Sequence, residues 1–136
     1  MPINQLSVFL ENKSGRLAEI AALIAANGID VRALALADTS DFGVLRLIVD
    51  QPAPAAALLK AAGLAVTLTP VTAVTVPDRP GSFAHITAAL AGAGVAVEYM
   101  YAFAGQTEGA ATVILRLSDG DKGAAALVAA GVTVLS

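Results

Sequence analysis

Two short polar segments, 12–15 and 78–81, have residue types that could bind a small zwitterion. The first reads Asn-Lys-Ser-Gly and the second reads Asp-Arg-Pro-Gly. A glycine at the start of a helix lets a carboxylate approach the free backbone N–H groups, which together carry roughly half a positive charge. The side chain of Asn12 or Asp78 would then receive an α-ammonium group. Aspartate suits an ammonium better, whereas the amide of Asn12 suits another amide or a hydroxyl.

The simpler interpretation of each segment is a capped helix start without a ligand. Short polar residues cap helix N-termini, and proline is tolerated in a first helical turn. The repetition of the segment, and the strand predicted before each copy, favour the ligand site. The residues alone leave both interpretations open.

The two segments occupy equivalent places in a sequence repeat. Residues 3–68 and 72–136 align at an offset of 66, which drifts to 68 after a short insertion. On this alignment Gly43 corresponds to Gly109, and residues 69–71 remain as a linker. Such a repeat indicates one small structural unit built twice, and the differences between the copies are then the best internal clue to function.

Each copy is predicted to contain a strand, a helix, two strands, a helix and a strand. Alternating apolar residues predict the first strand, and apolar residues at helical spacing predict helices that end at glycines. This order is typical of a ferredoxin-like βαββαβ unit, with both helices on one face of an antiparallel sheet. We therefore expect an α+β fold, with one unit at 1–69 and a second at 70–136.

The composition indicates an assembled protein. Only 14% of the 136 residues are charged, which is thin cover for a monomer. Apolar residues lie on both faces of the predicted second and third strands of the first copy, so the sheet face away from the helices must be at least partly covered. We favour sheet-on-sheet packing between chains, and expect a homodimer.

Several function classes lack the residues that they need. The sequence has no cysteine, and its one histidine, His85, is expected on the outer helix face, so we expect no enzyme activity, no metal site and no cofactor. A net charge of −3 without clustered basic residues argues against nucleic acid. No apolar run could span a membrane and no signal peptide is evident, so we expect a cytoplasmic protein.

Three further groups of residues have a structural and a functional interpretation. Tyr99, Tyr101 and Phe103 alternate where the first copy has alanines, and would fill the core or line a pocket. Arg32 and Arg46 should lie away from the helices, solvated or between chains rather than on a ligand. The acidic segment 38–41 is expected to be a solvated turn rather than a metal site.

The corner sequences resemble those of ACT domains, small regulatory modules that bind amino acids and related metabolites. The second copy carries Asp-Arg-Pro-Gly-Ser-Phe-Ala at 78–84 and Gly-Val-Ala-Val at 94–97. In the first copy Asn12 replaces the aspartate and Ser14 replaces the proline. Residues 32–46 further resemble stand-alone tandem ACT proteins of bacteria and archaea. The resemblance covers essentially the whole chain.

The resemblance implies a free amino acid or related small metabolite, held at an interface between two ACT units by the strand-to-helix corner. Because no further domain is evident, any effector would be a separate enzyme. The alternative is a structural or protein-interaction module without a ligand. The candidate ligand-binding residues are Asn12, Lys13, Ser14, Gly15, Arg16, Leu17, Asp78, Arg79, Pro80, Gly81, Ser82, Phe83, Tyr99 and Tyr101.

Overall fold

The computed structural model describes residues 2–38, 41–104 and 108–135, without the side chains of Asp38 and Ala104. The elements, in chain order, are β1 Ile3–Glu11, α1 Arg16–Ala26, β2 Val31–Asp38, β3 Phe42–Val49, α2 Pro52–Ala61, β4 Ala65–Pro77, α3 Ser82–Gly92, β5 Val97–Ala104, β6 Ala110–Leu117, α4 Gly120–Ala129 and β7 Thr133–Leu135. This order confirms two tandem βαββαβ units with antiparallel pairing. No helix in these ranges is long and apolar enough to cross a bilayer.

The chain forms two compact units. The first unit is Asn4–Thr69, and the second is Pro70–Ser136 together with Met1–Ile3. The strand order is β2-β3-β1-β4 in the first unit and β4-β6-β5 in the second, where β7 also pairs with β4. β2 and β5 are thus the outermost strands of this order.

The expected linker at residues 69–71 is instead part of β4. This strand runs over 13 residues and is rich in valine and threonine, which favour extended backbone. Pro70 indicated a break in the sequence, because proline cannot donate to a sheet ladder. In the structure its carbonyl accepts a hydrogen bond from Nη1 of Arg116 at 2.7 Å. Residues 69–71 thus belong to a continuous strand, whereas the sequence predicted a connection there.

Each unit has its own apolar core between its helices and its sheet. In the first unit Leu6 and Val8 of β1 pack with Ile20 and Ile24 of α1. In the second unit Val74 of β4 packs with Ile86 and Leu90 of α3 and with Leu127 of α4. These residues are at most 3% exposed, so the predicted helix and strand faces do point inward.

The opposite face of the sheet is also covered, as the apolar pattern predicted. Ser7, Ala33 and Ile48 in the first unit, and Ala73 and Ile114 in the second, are all buried in the single chain. The packing between chains that we favoured stays a prediction.

The strand register corrects one part of the repeat alignment. Leu10 pairs with Gly43, and the equivalent Val76 pairs with Ala111. Gly43 therefore corresponds in space to Ala111, at an offset of 68, and not to Gly109. The insertion lies earlier than the sequence alignment placed it, in the connection between β5 and β6.

Candidate functional site

The two strand-to-helix corners share one backbone conformation. Gly15 precedes α1 with φ 88°, and Gly81 precedes α3 with φ 95°, both in the left-handed region that favours glycine. A Cβ built at either position would meet no atom within 4 Å, so both corners are open. Neither helix start has a side-chain cap among the described residues, so the polar side chains of the two segments do not cap α1 and α3 as the simpler interpretation supposed. Whether the corners bind a ligand stays a prediction.

Several backbone N–H groups at the second corner find no hydrogen-bond acceptor in the part of the chain that is described. Gly81, Phe83 and Ala84 donate to no acceptor among the described residues, and we call their N–H groups the open donors. The bonded N–H groups of the corner belong to Asp78, Arg79, Ser82 and His85, whose acceptors are the carbonyls of Gly109, Pro77, Arg79 and Gly81. The open donors lie at the positive end of the helix dipole and could bind a carboxylate.

The side chains at this corner leave an acceptor beside the open donors. The Ser82 hydroxyl already donates to the Pro77 carbonyl. The exposed Asp78 carboxylate makes no hydrogen bond or ion pair with any part of the chain that is described. Residues 78–84 thus contain both the open donors, which suit a carboxylate, and the Asp78 carboxylate, which suits an ammonium group.

Two cavities flank the second corner. The apolar cavity, about 280 Å³, is lined by Asp78, Arg79, Ser82 and Phe83 of the corner and by apolar residues, namely Val76, Pro77, Ile86, Met100, Ala102, Ala111 and Val113. The outer groove, about 580 Å³, lies on the other side of α3 beside Arg79, Gly81 and His85. His85 is exposed, as expected, and its Nε2 lies 2.8 Å from the Ala130 carbonyl oxygen.

Comparisons with known proteins decide the family. A model of the ACT domain pair matches residues 1–134. The chain belongs to the ACT domain pair family. This match confirms the resemblance seen in the sequence. ACT domains are amino-acid-binding regulatory modules.

Solved structures agree with this fold. Protein BT0572 from Bacteroides thetaiotaomicron is 41% identical with a TM-score of 0.94, over 99% of this chain and 92% of that one. The ligand-free regulatory subunit of aspartate kinase from Thermus thermophilus is 18% identical with a TM-score of 0.71, over 95% and 93% of the two chains. The second likeness concerns the fold alone. No curated protein matches the sequence.

The corner of the first ACT unit keeps the backbone and changes the side chains. The N–H groups of Gly15, Leu17 and Ala18 also find no acceptor among the described residues. Asn12 stands where the second unit has Asp78. Lys13 forms an ion pair with Glu11 at 2.8 Å, and this contact lowers the pKa of the Glu11 carboxyl.

In the first ACT unit the Arg16 side chain lies where the second unit has the outer groove. Its Nη1 pairs with Glu19 at 3.1 Å, and its Nε is buried without a partner among the residues described. Beside Ala62 and Leu64 it lines a cavity of only about 70 Å³. In the second unit Ser82 stands in place of Arg16 and His85 in place of Glu19, and both line the larger outer groove.

Leucines fill the first unit's equivalent of the apolar cavity. Leu36 Cδ1 and Leu10 Cδ2 lie 3.4 and 3.7 Å from where a Cβ on Gly43 would be. The second unit has Ala102 and Val76 at the positions of these leucines, as the strand register shows. The shorter side chains leave space there.

The structure does not bring Tyr99 and Tyr101 to the corner. They pair with Arg116 and Ile114 of β6 and alternate along β5 with Met100 and Ala102, which line the apolar cavity. Neither tyrosine lines that cavity or the outer groove. The sequence interpretation missed Met100 and Ala102, although strand alternation places them on the helix side of the sheet.

The remaining candidates lie away from the corners. Arg32 pairs with Asp30 at 3.1 Å at the surface. Arg46 lies on the sheet face away from the helices, where its strand neighbours are Ser7 of β1 and Ala35 of β2. The predicted turn at 38–41 includes residues 39 and 40, which are outside the described residues.

Proposed function

We propose that this ACT pair is a non-catalytic regulatory module that binds a free amino acid or related small metabolite at its second corner. The observation that carries the proposal is the combination of open donors, an Asp78 carboxylate without a partner among the described residues, and an apolar cavity that Asp78 and Phe83 help to line. A ligand that supplies both a carboxylate and an ammonium satisfies this set.

In the proposed pose the ligand carboxylate accepts hydrogen bonds from the N–H groups of Phe83 and Ala84. Its ammonium donates to the Asp78 carboxylate. Hydrogen bonds to charged groups contribute about 1.5–3 kcal/mol each, and shielding by the cavity wall strengthens them relative to bulk water. Gly81 supplies the positive φ that brings the chain into α3, and no atom lies within 4 Å of where a Cβ on it would be.

We propose that the first corner binds more weakly. Asn12 is neutral where Asp78 is charged, Arg16 fills the neighbouring groove, and leucines cover Gly43. The same backbone therefore offers less charge complementarity and less room.

We further propose a homodimer that acts on a separate effector enzyme, with the ligand at an interface between two ACT units. Phe83, at the rim of the apolar cavity, is 62% exposed, and a second ACT unit packed on it would close the cavity. Leu34 and Leu36 on the outermost strand β2 are 62% and 50% exposed. Apolar groups this exposed support association.

A protein-interaction module without a ligand is the alternative. The exposed apolar residues Phe42, Leu34 and Leu36 of the first unit favour it, since they would serve a protein partner equally well. This alternative needs no occupant at the second corner.

Isothermal titration of the intact protein with each of the twenty amino acids separates the two proposals. We expect binding by at least one amino acid, and at least tenfold weaker binding by the Asp78→Asn variant, since a charged acceptor is lost. Asn12→Asp is the matched control and should leave the affinity at the second corner unchanged. Absence of binding by all twenty to protein freed of ligand by unfolding and refolding would favour the interaction module.

A further inference from the structure

We propose that the apolar cavity selects an amino acid with an apolar side chain, such as valine, leucine, isoleucine or methionine. This inference rests on the proposed function, because it places the α-carboxylate and α-ammonium at the second corner. It adds which side chain the corner accepts.

The chemistry of the cavity lining is the first step. Away from the corner the cavity is lined by Ile86, Met100, Ala102, Ala111 and Val113, whose side chains offer no hydrogen-bond donor and no charge. A lysine, aspartate or threonine side chain packed against these five residues would give up part of its hydrogen bonding to water and would find no hydrogen-bond partner among their side chains, which is costly. An apolar side chain would instead gain from leaving water.

The arrangement of polar and apolar groups is the second step. Asp78 and Phe83 belong to the same cavity as Met100 and Ala102. An amino acid with its charged groups on Asp78 and the open donors would therefore direct its side chain along α3 toward the sheet. The volume of about 280 Å³ is near the lower limit for small-molecule sites and suits a ligand the size of one amino acid.

The equivalent space in the first ACT unit is the third step, because leucine side chains of the protein fill it there. Leu36 and Leu10 reach over Gly43 there, whereas the second unit has alanine and valine at their positions. The protein's own leucine side chains thus already occupy the equivalent apolar space. A ligand side chain of similar chemistry fits the second unit.

Ala102→Leu tests the inference, since it gives the second unit the residue that the first unit carries at Leu36. Ala102 is exposed, so the added side chain can be accommodated without rebuilding the core. Ala88→Leu is the matched control, because Ala88 is an exposed alanine of α3 that does not line the apolar cavity. The ligands are leucine, glycine, threonine, lysine and aspartate, each titrated into the intact protein.

We expect leucine to bind wild type and Ala88→Leu about tenfold to a hundredfold more tightly than glycine, from the burial of one aliphatic side chain. Ala102→Leu should remove most of this preference. Tightest binding by lysine, aspartate or threonine would overturn the inference, as would an Ala102→Leu variant that keeps its preference for leucine.

The outcomes separate this inference from the proposed function. Binding that depends on Asp78 but favours a polar side chain overturns the side-chain selection and keeps the amino-acid site. Absence of binding by every amino acid overturns both.

Discussion

The two corners of this ACT pair have nearly identical backbones and different side chains. Gly15 and Gly81 have φ values of 88° and 95°, and each is followed by a helix whose first N–H groups point to an open corner. Around the first corner, Arg16 and two leucines fill the adjoining space. Around the second, Ser82, Ala102 and Val76 leave it open. The two copies thus share the backbone that presents the donors and differ in the side chains around it.

This contrast has a simple physical basis. A left-handed glycine before a helix is required by the turn itself, so both copies need it whether or not they bind a ligand. The side chains around the turn are under no such constraint. Differences between the corners are therefore more informative about binding than the glycines that they share.

The largest expected effect comes from Gly81→Val compared with Gly15→Val. Both variants place a β-branched residue at positive φ, and each should lower the free energy of unfolding by about 1–2 kcal/mol or more. Only Gly81→Val should also abolish amino-acid binding, because the strained backbone at residue 81 directly precedes the open donors of Phe83 and Ala84. Thermal melts and isothermal titration measure the two effects. Equal loss of affinity in both variants would show that the corners are not functionally different.

A gain of binding at the first corner sharpens the contrast. The triple variant Asn12→Asp, Arg16→Ser, Leu36→Ala copies the second corner's residues, and we expect a second ligand to bind each chain. Leu36 is half exposed, so its truncation should cost about 1 kcal/mol, a part of the value for a fully buried leucine. The readout is the stoichiometry of the calorimetric titration, that is, the number of ligands bound per chain. The control is Leu36→Ala alone. Unchanged stoichiometry would mean that these side chains do not decide which corner binds.

The smallest expected effect is a pH dependence confined to the first corner. Lys13 lowers the pKa of Glu11 below its ordinary value of 4.5 in the folded state. Because the folded pKa is the lower one, the stabilisation is present above the unfolded value and is lost as the pH falls through the folded pKa. Lys13→Ala should therefore slightly reduce stability near neutral pH and leave it unchanged at strongly acidic pH.

The control for this effect is Arg79→Ala, at the equivalent place of the second corner. Pro77 stands there in place of Glu11, so Arg79→Ala has no such carboxylate to affect. Urea unfolding at several pH values between neutral and strongly acidic compares the two variants. A larger acid-side dependence for Arg79→Ala would contradict the assignment of the pKa shift to Lys13.

Much of the fold follows from the sequence. Apolar spacing and helix-ending glycines repeat in both copies, so they predicted the order of the elements. The continuous strand β4 was missed because Pro70 indicates a break, whereas the valines and threonines around it keep the backbone extended. The wrong match of Gly43 to Gly109 arose because the position of an insertion depends on strand register, which only the structure gives.

The candidate site was predicted in part. The corner segments were identified because their glycines and polar residues have local requirements. The apolar cavity depends on residues distant in sequence, such as Met100 and Val113, which only strand pairing brings near α3. The tyrosines drew attention as the largest difference between the copies, but alternation along β5 puts them on the other face of the sheet.

Amide chemical shifts of the isotope-labelled intact protein would test directly whether the second corner holds the ligand. The titrant is the amino acid that binds most tightly among the twenty. We predict that the N–H signals of Phe83 and Ala84 move as ligand is added, with a midpoint that matches the calorimetric affinity, while those of Leu17 and Ala18 stay in place. Binding that leaves the Phe83 and Ala84 signals unmoved, or moves the signals of both corners equally, would contradict the proposal.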